Sequence, residues 1–325
     1  MEQAEYKQMV ARLEGLTDEQ FDALLETMRQ RKDADGVQRL VMARMAERKC
    51  CPHCDGTKVV KHGVEFGSQR FRCKDCGKTF TALTGTPFHR LRDKAKLLEN
   101  AACMADGLSV RKTAARLEIS VQKAFRWRHK FLDFLSKQKP AALTGVIEAD
   151  ETRFPVSYKG QRKGMPRTSK KRSGKTKDGA GTEKTTVVVA VQRGTQIEFD
   201  QVLAQGTAVA LTEALRPVLG VDAVLSTDGN ASYWTVAKEL GVESGSFVSA
   251  FHGKGGDGVW HVQSVNRYDS SLKTWMARFR GVATKYLPNY LGWRRLLERY
   301  KTQLNPLICL KEALGYRDMQ QLTQT

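Results

Sequence analysis

No run of 18 apolar residues occurs in this 325-residue chain, and its N-terminus lacks the pattern of a signal peptide. A membrane-spanning helix needs about 20 such residues, so the sequence predicts a soluble, cytoplasmic protein with no membrane partner. Acids are short as well: 35 Asp and Glu stand against 54 Lys and Arg, a formal charge of +19 with a pI near 9.7. That balance points to a polyanionic partner, because cations set against phosphates release condensed counterions. Seven cysteines in a reducing compartment argue for metal or free thiols over disulfides. The length suits two or three domains, at least one with a sizeable core.

The positive charge is uneven. Residues 1–48 hold 10 acids and 8 bases, whereas residues 49–140 hold 20 bases and 8 acids. The first segment is therefore a helical support or self-association element. Thr17 and Gln20 form a capping box ahead of Leu24, Leu25 and Met28, and a second helix from about Val37 to Arg48 would complete a hairpin.

Residues 49–86 contain Cys51-Pro-His-Cys54, 18 intervening residues and Cys73-Lys-Asp-Cys76. Two CxxC pairs so spaced predict a four-cysteine zinc site on a β-ribbon. Four sulfurs close the coordination sphere, so this Zn²⁺ is structural. Cys50 leaves the register open by one. Residues 87–140 turn helical. Ser109 and Ser120 are N-caps, Ala114, Ala115 and Leu117 allow close packing, and Val121, Ala124, Phe125 and Trp127 face inward. Gln122, Lys123, Arg126 and Lys130 face outward, as on the second helix of a helix-turn-helix set against DNA. The other reading is a helical linker with a solvated basic face.

Residues 141–305 alternate strands and helices. Val146–Phe154, Thr185–Arg193 and Ile197–Leu203 read as strands, Leu211–Leu219 as a helix and Ala223–Thr227 as a strand. Tyr233–Leu240 (helix), Phe247–Phe251 (strand) and Val265–Arg280 (helix) follow. That order predicts an α/β, ribonuclease-H-like core. A basic insertion, residues 158–184, carries ten Lys and Arg against two acids. It is either a disordered loop or a clamp on DNA backbone through residues such as Lys170, Lys171 and Arg172. Residues 306–325 remain as a C-terminal tail.

Asp150 interrupts a strand of Val, Ile and Ala, and Asp228 ends an apolar run before Gly229. A carboxylate in such a strand is costly unless it binds something. Phosphodiester chemistry needs carboxylates that hold two Mg²⁺ ions about 4 Å apart, and Mg²⁺ is content with few protein ligands. Asn266 and Lys273 lie two turns apart on one helix face. Asn266 can offer an amide oxygen but no charge. Glu148 shares the strand face of Asp150 and either supplies or shares the missing charge, or faces solvent or pairs with an arginine. Asp257 and Asp269 are further candidates. His261 either handles a proton or phosphate, or is structural.

Glu148-Ala-Asp150-Glu-Thr, Ser226-Thr-Asp228-Gly, His261-Val-Gln-Ser-Val-Asn266 with Lys273, and Phe279-Arg-Gly-Val-Ala-Thr-Lys-Tyr-Leu resemble the DDE-superfamily transposases of bacterial insertion sequences. They resemble in particular the group with a zinc ribbon and an Asn in the third acidic position. The resemblance spans about residues 50–300. It implies a metal triad of Asp150, Asp228 and Asn266, with Lys273 on element-end DNA. It also implies binding to terminal inverted repeats as a homodimer or larger synaptic complex, associated with the nucleoid. Water would be the first nucleophile and a freed 3′-hydroxyl the second, with no covalent protein–DNA intermediate. The neutral Asn266 alone favours the alternative, a catalytically inactive DNA-binding regulator derived from a transposase.

Overall fold

The computed structural model describes residues 8, 10, 12, 15–65, 68–89, 91, 96–161, 164, 183–195, 197–246 and 260–315. The chain divides into two units, residues 1–124 with 305–317 and residues 125–304 with 318–325.

In the first unit, helix α1 (Asp18–Arg48) begins at the expected cap. Thr17 Oγ1 accepts the Gln20 N–H at 3.3 Å, and Gln20 Oε1 accepts the Thr17 N–H at 3.1 Å. The expected hairpin is instead one helix of 31 residues. Gly36 costs a helix about 1 kcal/mol, which the helix formers on either side outweigh. Strands β1 (Val59–Glu65), β2 (Ser68–Cys73) and β3 (Thr79–Thr81) form an antiparallel sheet in that order. Phe71 and Phe80 face each other across β2 and β3 with rings stacked at 5.7 Å. They pack with Cys51, Cys73, Val59 and the α1 residues Met42 and Met45.

Helices α2 (Leu97–Ala105), α3 (Val110–Arg116) and α4 (Val121–Lys137) follow. Ser109 and Ser120 cap as expected, accepting the Lys112 N–H at 3.4 Å and the Lys123 N–H at 3.2 Å. The α3–α4 turn is tight: Glu118 takes φ 51°, and the Ile119 N–H returns to the Ala114 carbonyl at 3.0 Å. On α4 the buried stripe is Ala124, Trp127, Phe131 and Leu135. Val121 and Phe125, expected inward, are 50% and 36% exposed. Successive residues turn by about 100°, so Phe125 stands off the stripe that Ala124 begins.

The second unit is mixed α/β. Its strands are β4 (Val146–Pro155), β5 (Lys184–Gln192), β6 (Glu198–Leu203), β7 (Val224–Thr227) and β8 (Glu243–Ser246). Helix α5 (Ala208–Leu215) precedes β7 and α6 (Ala231–Leu240) precedes β8, after which come α7 (Gln263–Ala277) and α8 (Leu287–Tyr300). The sheet order is β6-β5-β4-β7-β8. The β4–β5 and β5–β6 pairs are antiparallel, and β4–β7 and β7–β8 are parallel. The last strand lies just before the expected one, whose residues 247–251 fall outside those described.

Successive side chains of a strand point to opposite faces. On β4, Ile147 and Ala149 join the apolar core with Val188, Ala190, Leu225 and residues of α5 and α6. Glu148, Asp150 and Thr152 therefore point to the other face, where α7 packs on β4. Behind α7, Asp200 on β6 is fully buried and binds Arg295 of α8, while the Tyr268 hydroxyl donates to it at 2.8 Å. Gly245 leaves room for the Trp260 ring, which a Cβ there would meet at 2.3 Å.

The expected C-terminal tail is in part a helix of the first unit, α9 (Pro306–Leu314). Asn305 caps it, Pro306 sets its first turn and Gly315 ends it at φ 82°. Its apolar face, Cys309, Leu310, Ala313 and Leu314, is buried against α2. Among the described residues, no helix is long and apolar enough to cross a membrane.

Candidate active site and metal centre

The site is built where α7 packs on β4, whose parallel neighbour is β7. The β4–β7 register pairs Val146 with Val224, Ile147 with Leu225 and Glu148 with Ser226. Continued by two residues, it sets Asp150 beside Asp228, and adjacent strands run about 4.8 Å apart. Asp228 is the first residue past β7. Its Oδ1 accepts the Asn230 N–H at 3.1 Å, and the turn passes through Gly229 at φ 88°. Asp150 is half-buried, and its Oδ1 accepts the Glu151 N–H at 2.7 Å. Burial raises the Asp150 carboxyl above the usual carboxylate range; the charge of Asp228 adds to this and that of Lys273 opposes it. Glu151 is raised in the same way by burial, Asp150 and Asp228.

Helix α7 has no side-chain cap of its own; Glu148 supplies one from β4. Glu148 is fully buried. Its Oε2 accepts the backbone N–H groups of Ser264 at 2.6 Å and Val265 at 3.2 Å. Its Oε1 accepts the Ser264 hydroxyl at 3.0 Å and Arg193 Nε at 2.8 Å, with His261 Nδ1 at 3.2 Å. Arg193 and Ser226 also donate to the His261 carbonyl, at 3.0 and 2.8 Å. Of the readings left open for Glu148, the structure shows the arginine pair: both its oxygens are committed to the start of α7 and to Arg193.

Asn266 and Lys273 are exposed on α7, and the charge of Lys273 acts on Asp150. Asp269, between them in sequence, is buried. Burial pushes its carboxyl up to about 7, helped by the charge of Asp150, while Lys273 and Thr152 work the other way. Burial at the start of α6 raises the Tyr233 hydroxyl well above its ordinary value, and the charges of Glu151, Asp150, Asp228 and Asp269 add to this. The donors available here are oxygens, the chemistry that suits Mg²⁺ or Mn²⁺ and not a soft metal. Asp257, Lys170, Lys171 and Arg172 lie outside the described residues.

The ligand atoms of Cys51, Cys54, Cys73 and Cys76 all lie within 4.8 Å of one another. Among the described residues no other group of three or more Cys, His, Asp or Glu side chains is gathered so closely. The Cys51–Cys76 and Cys54–Cys73 sulfurs are 3.7 Å apart. Tetrahedral Zn–S bonds of about 2.3 Å place sulfurs about 3.8 Å apart, so the spacing fits. Each pair sits in a tight turn: the Asp55 N–H returns to the Cys51 carbonyl at 2.9 Å, and the Gly77 N–H to the Cys73 carbonyl at 3.0 Å. Cys50 lies outside the four. On α4, Gln122, Arg126 and Lys130 are exposed and Lys123 is half-exposed.

Residues 142–294 match the family model of the ISXO2-like transposase domain. A protein of transposable element ISH50 from Halobacterium salinarum is 26% identical over 74% of this chain and 82% of its own length. The insertion element iso-IS1N protein InsA of Shigella dysenteriae is 36% identical over 23% of this chain and 82% of its own length. Among solved structures, a pre-cleavage Mos1 transpososome is 13% identical over 68% of this chain and 79% of that chain. Its TM-score of 0.22 is too low to compare folds. With the matched domain spanning the sheet, Asp150, Asp228 and most of α8, the chain belongs to the DDE-type transposases.

Proposed function

We propose that this transposase binds the terminal inverted repeats of an insertion sequence and catalyses metal-dependent DNA cleavage and strand transfer. The observation that carries the reading is the β4–β7 register, whose continuation by two residues sets Asp150 beside Asp228, with the charges of Asp228 and of Lys273 on α7 acting on Asp150. Bound Mg²⁺ ions would activate the attacking oxygen and stabilise the leaving oxygen. Asp150, Asp228 and the Asn266 amide oxygen would hold them, and Lys273, exposed two turns along, would contact the DNA backbone. The sheet, three antiparallel strands followed by two parallel ones reached through helices, supports a ribonuclease-H-like core.

The segment from the cysteine pairs to α4 supports the DNA-binding part of the reading. Its four gathered thiols and three-stranded sheet support a structural zinc ribbon. The capped α3–turn–α4 segment supports a helix-turn-helix, with Gln122, Lys123, Arg126 and Lys130 toward double-stranded DNA. Pairing two element ends requires at least a dimer during the reaction. The test is nicking of a terminal-repeat duplex in Mg²⁺ or Mn²⁺. Cleavage that disappears in Asp150→Asn and Asp228→Asn supports the enzyme; binding without cleavage in either metal supports the regulator.

A further inference from the structure

Asn266 brings no charge, yet its helix buries a carboxylate one turn further on. Asp269 is 5% exposed, and its Oδ1 has no hydrogen-bond partner. It lies three residues after Asn266 and four before Lys273. Residues so spaced share a helix face. Its surroundings are those of the site: Thr152, the charge of Asp150 and that of Lys273.

A buried carboxylate oxygen without a partner is costly. Two other buried acids of this face have hydrogen-bond partners, Glu148 with Ser264, Val265 and Arg193, and Asp200 with Arg295 and Tyr268, while Glu198 is offset by the charges of Arg299, Arg267 and Lys301. A second orphan borders the same place. The Tyr233 hydroxyl is 1% exposed, has no partner, and the charges acting on it are those of Glu151, Asp150, Asp228 and Asp269. Buried polar atoms without partners thus flank the two aspartates from α7 and from α6.

We propose that Asp269 is the third carboxylate of the divalent-cation site, supplying from the next helical turn the negative charge that Asn266 lacks. The proposal rests on the reading of Asp150 and Asp228 as cation ligands. Two aspartates leave a pair of divalent ions underbalanced. A third carboxylate on α7 reduces that imbalance and gives the orphaned oxygen a partner.

The test is Mn²⁺ binding by the full-length, zinc-loaded protein, read from the electron paramagnetic resonance of free Mn²⁺. Changes at a metal's outer partners already cost about 10–100-fold in affinity, so Asp269→Asn should weaken binding by about tenfold or more. Asp269→Glu, which keeps the charge, should bind more tightly than Asp269→Asn. Without added Mn²⁺, Asp269→Asn should melt no lower than the parent protein, because it removes an unpartnered buried charge. If Asp269→Asn binds Mn²⁺ like the parent while Asp150→Asn does not, the proposal is overturned and the reading of the site stands. If Asp150→Asn and Asp228→Asn also bind like the parent, that reading falls and the proposal with it.

Discussion

The carboxylate of Glu148 accepts the backbone N–H of Ser264 at 2.6 Å, across 116 residues of sequence. It ties the start of α7 to β4 two residues before Asp150, and so sets where Asn266, Asp269 and Lys273 stand over the sheet. Removing one partner of a buried ion pair leaves the other uncompensated, at about 3–5 kcal/mol. Glu148→Ala should therefore unfold at markedly lower denaturant and lose cleavage, and Glu148→Gln should lose less of both. An unchanged unfolding midpoint in Glu148→Ala would show that this link does not hold α7.

Asp150→Asn and Asp228→Asn should each slow nicking of a terminal-repeat duplex by about 100-fold or more. Gel-shift affinity for the same duplex should stay close to that of the parent, since neither side chain lies on α4. A matched loss of binding would mean that these residues serve recognition and not chemistry.

Asp269 gives the metal-free protein a pH dependence with a definite sign. Its folded-state pKa, about 7, lies above the ordinary 3.8. Its stabilising contribution is full below about pH 4 and is lost as pH rises through about 7. With only the structural zinc bound, melting temperature should fall from about pH 5 to about pH 8, by an amount worth a few kcal/mol at most. Asp269→Asn should lessen that fall, and Glu198, pushed up to about 7 by burial, should carry part of what remains. A slope unchanged by the substitution would place the titrating group elsewhere.

Metal analysis should find one zinc per chain, lost in Cys51→Ser and Cys73→Ser and kept in Cys50→Ser. Coordinating thiols must shed their protons, so zinc retention in a competition with chelator should fall as pH is lowered. Retention of zinc by Cys51→Ser would shift the ligand register to Cys50.

Arg126→Ala and Lys123→Ala should each weaken terminal-repeat binding. Where the lost contact is to phosphate, the slope of log affinity against log salt should drop by about 0.9 per residue. Unchanged affinity and slope in both would remove α4 from the DNA interface.

Much of this was legible in the chain because it is local. The CxxC spacing is two tight turns, and the structure gathers the same four thiols. Thr17, Ser109 and Ser120 cap helices within three residues of themselves. Asp150 and Asp228 stood out because a carboxylate amid apolar strand residues is anomalous wherever its strand lies. The sequence misled where local patterns were weak. The hairpin expected from a second helix at about Val37 is one continuous α1, and the short apolar face of α9 was read as tail.

By itself the sequence determined the strand and helix alternation, the four thiols, and the presence of Glu148, Asp150, Asp228, Asn266, Asp269 and Lys273. It could not say which acids are already committed. Glu148 and Asp150 share one face of β4, and their alternation makes them look equivalent. Only the tertiary structure separates them: α7 starts against Glu148, so its free N–H groups and Arg193 take that carboxylate, while Asp150 sits beside Asp228. Asp269, far from Asp150 in sequence, ends buried where the charge of Asp150 acts on it, without a hydrogen bond for its Oδ1. The reason is physical: the backbone N–H groups that occupy the buried Glu148 carboxylate come from residues over a hundred positions away, and no periodicity of the chain records them.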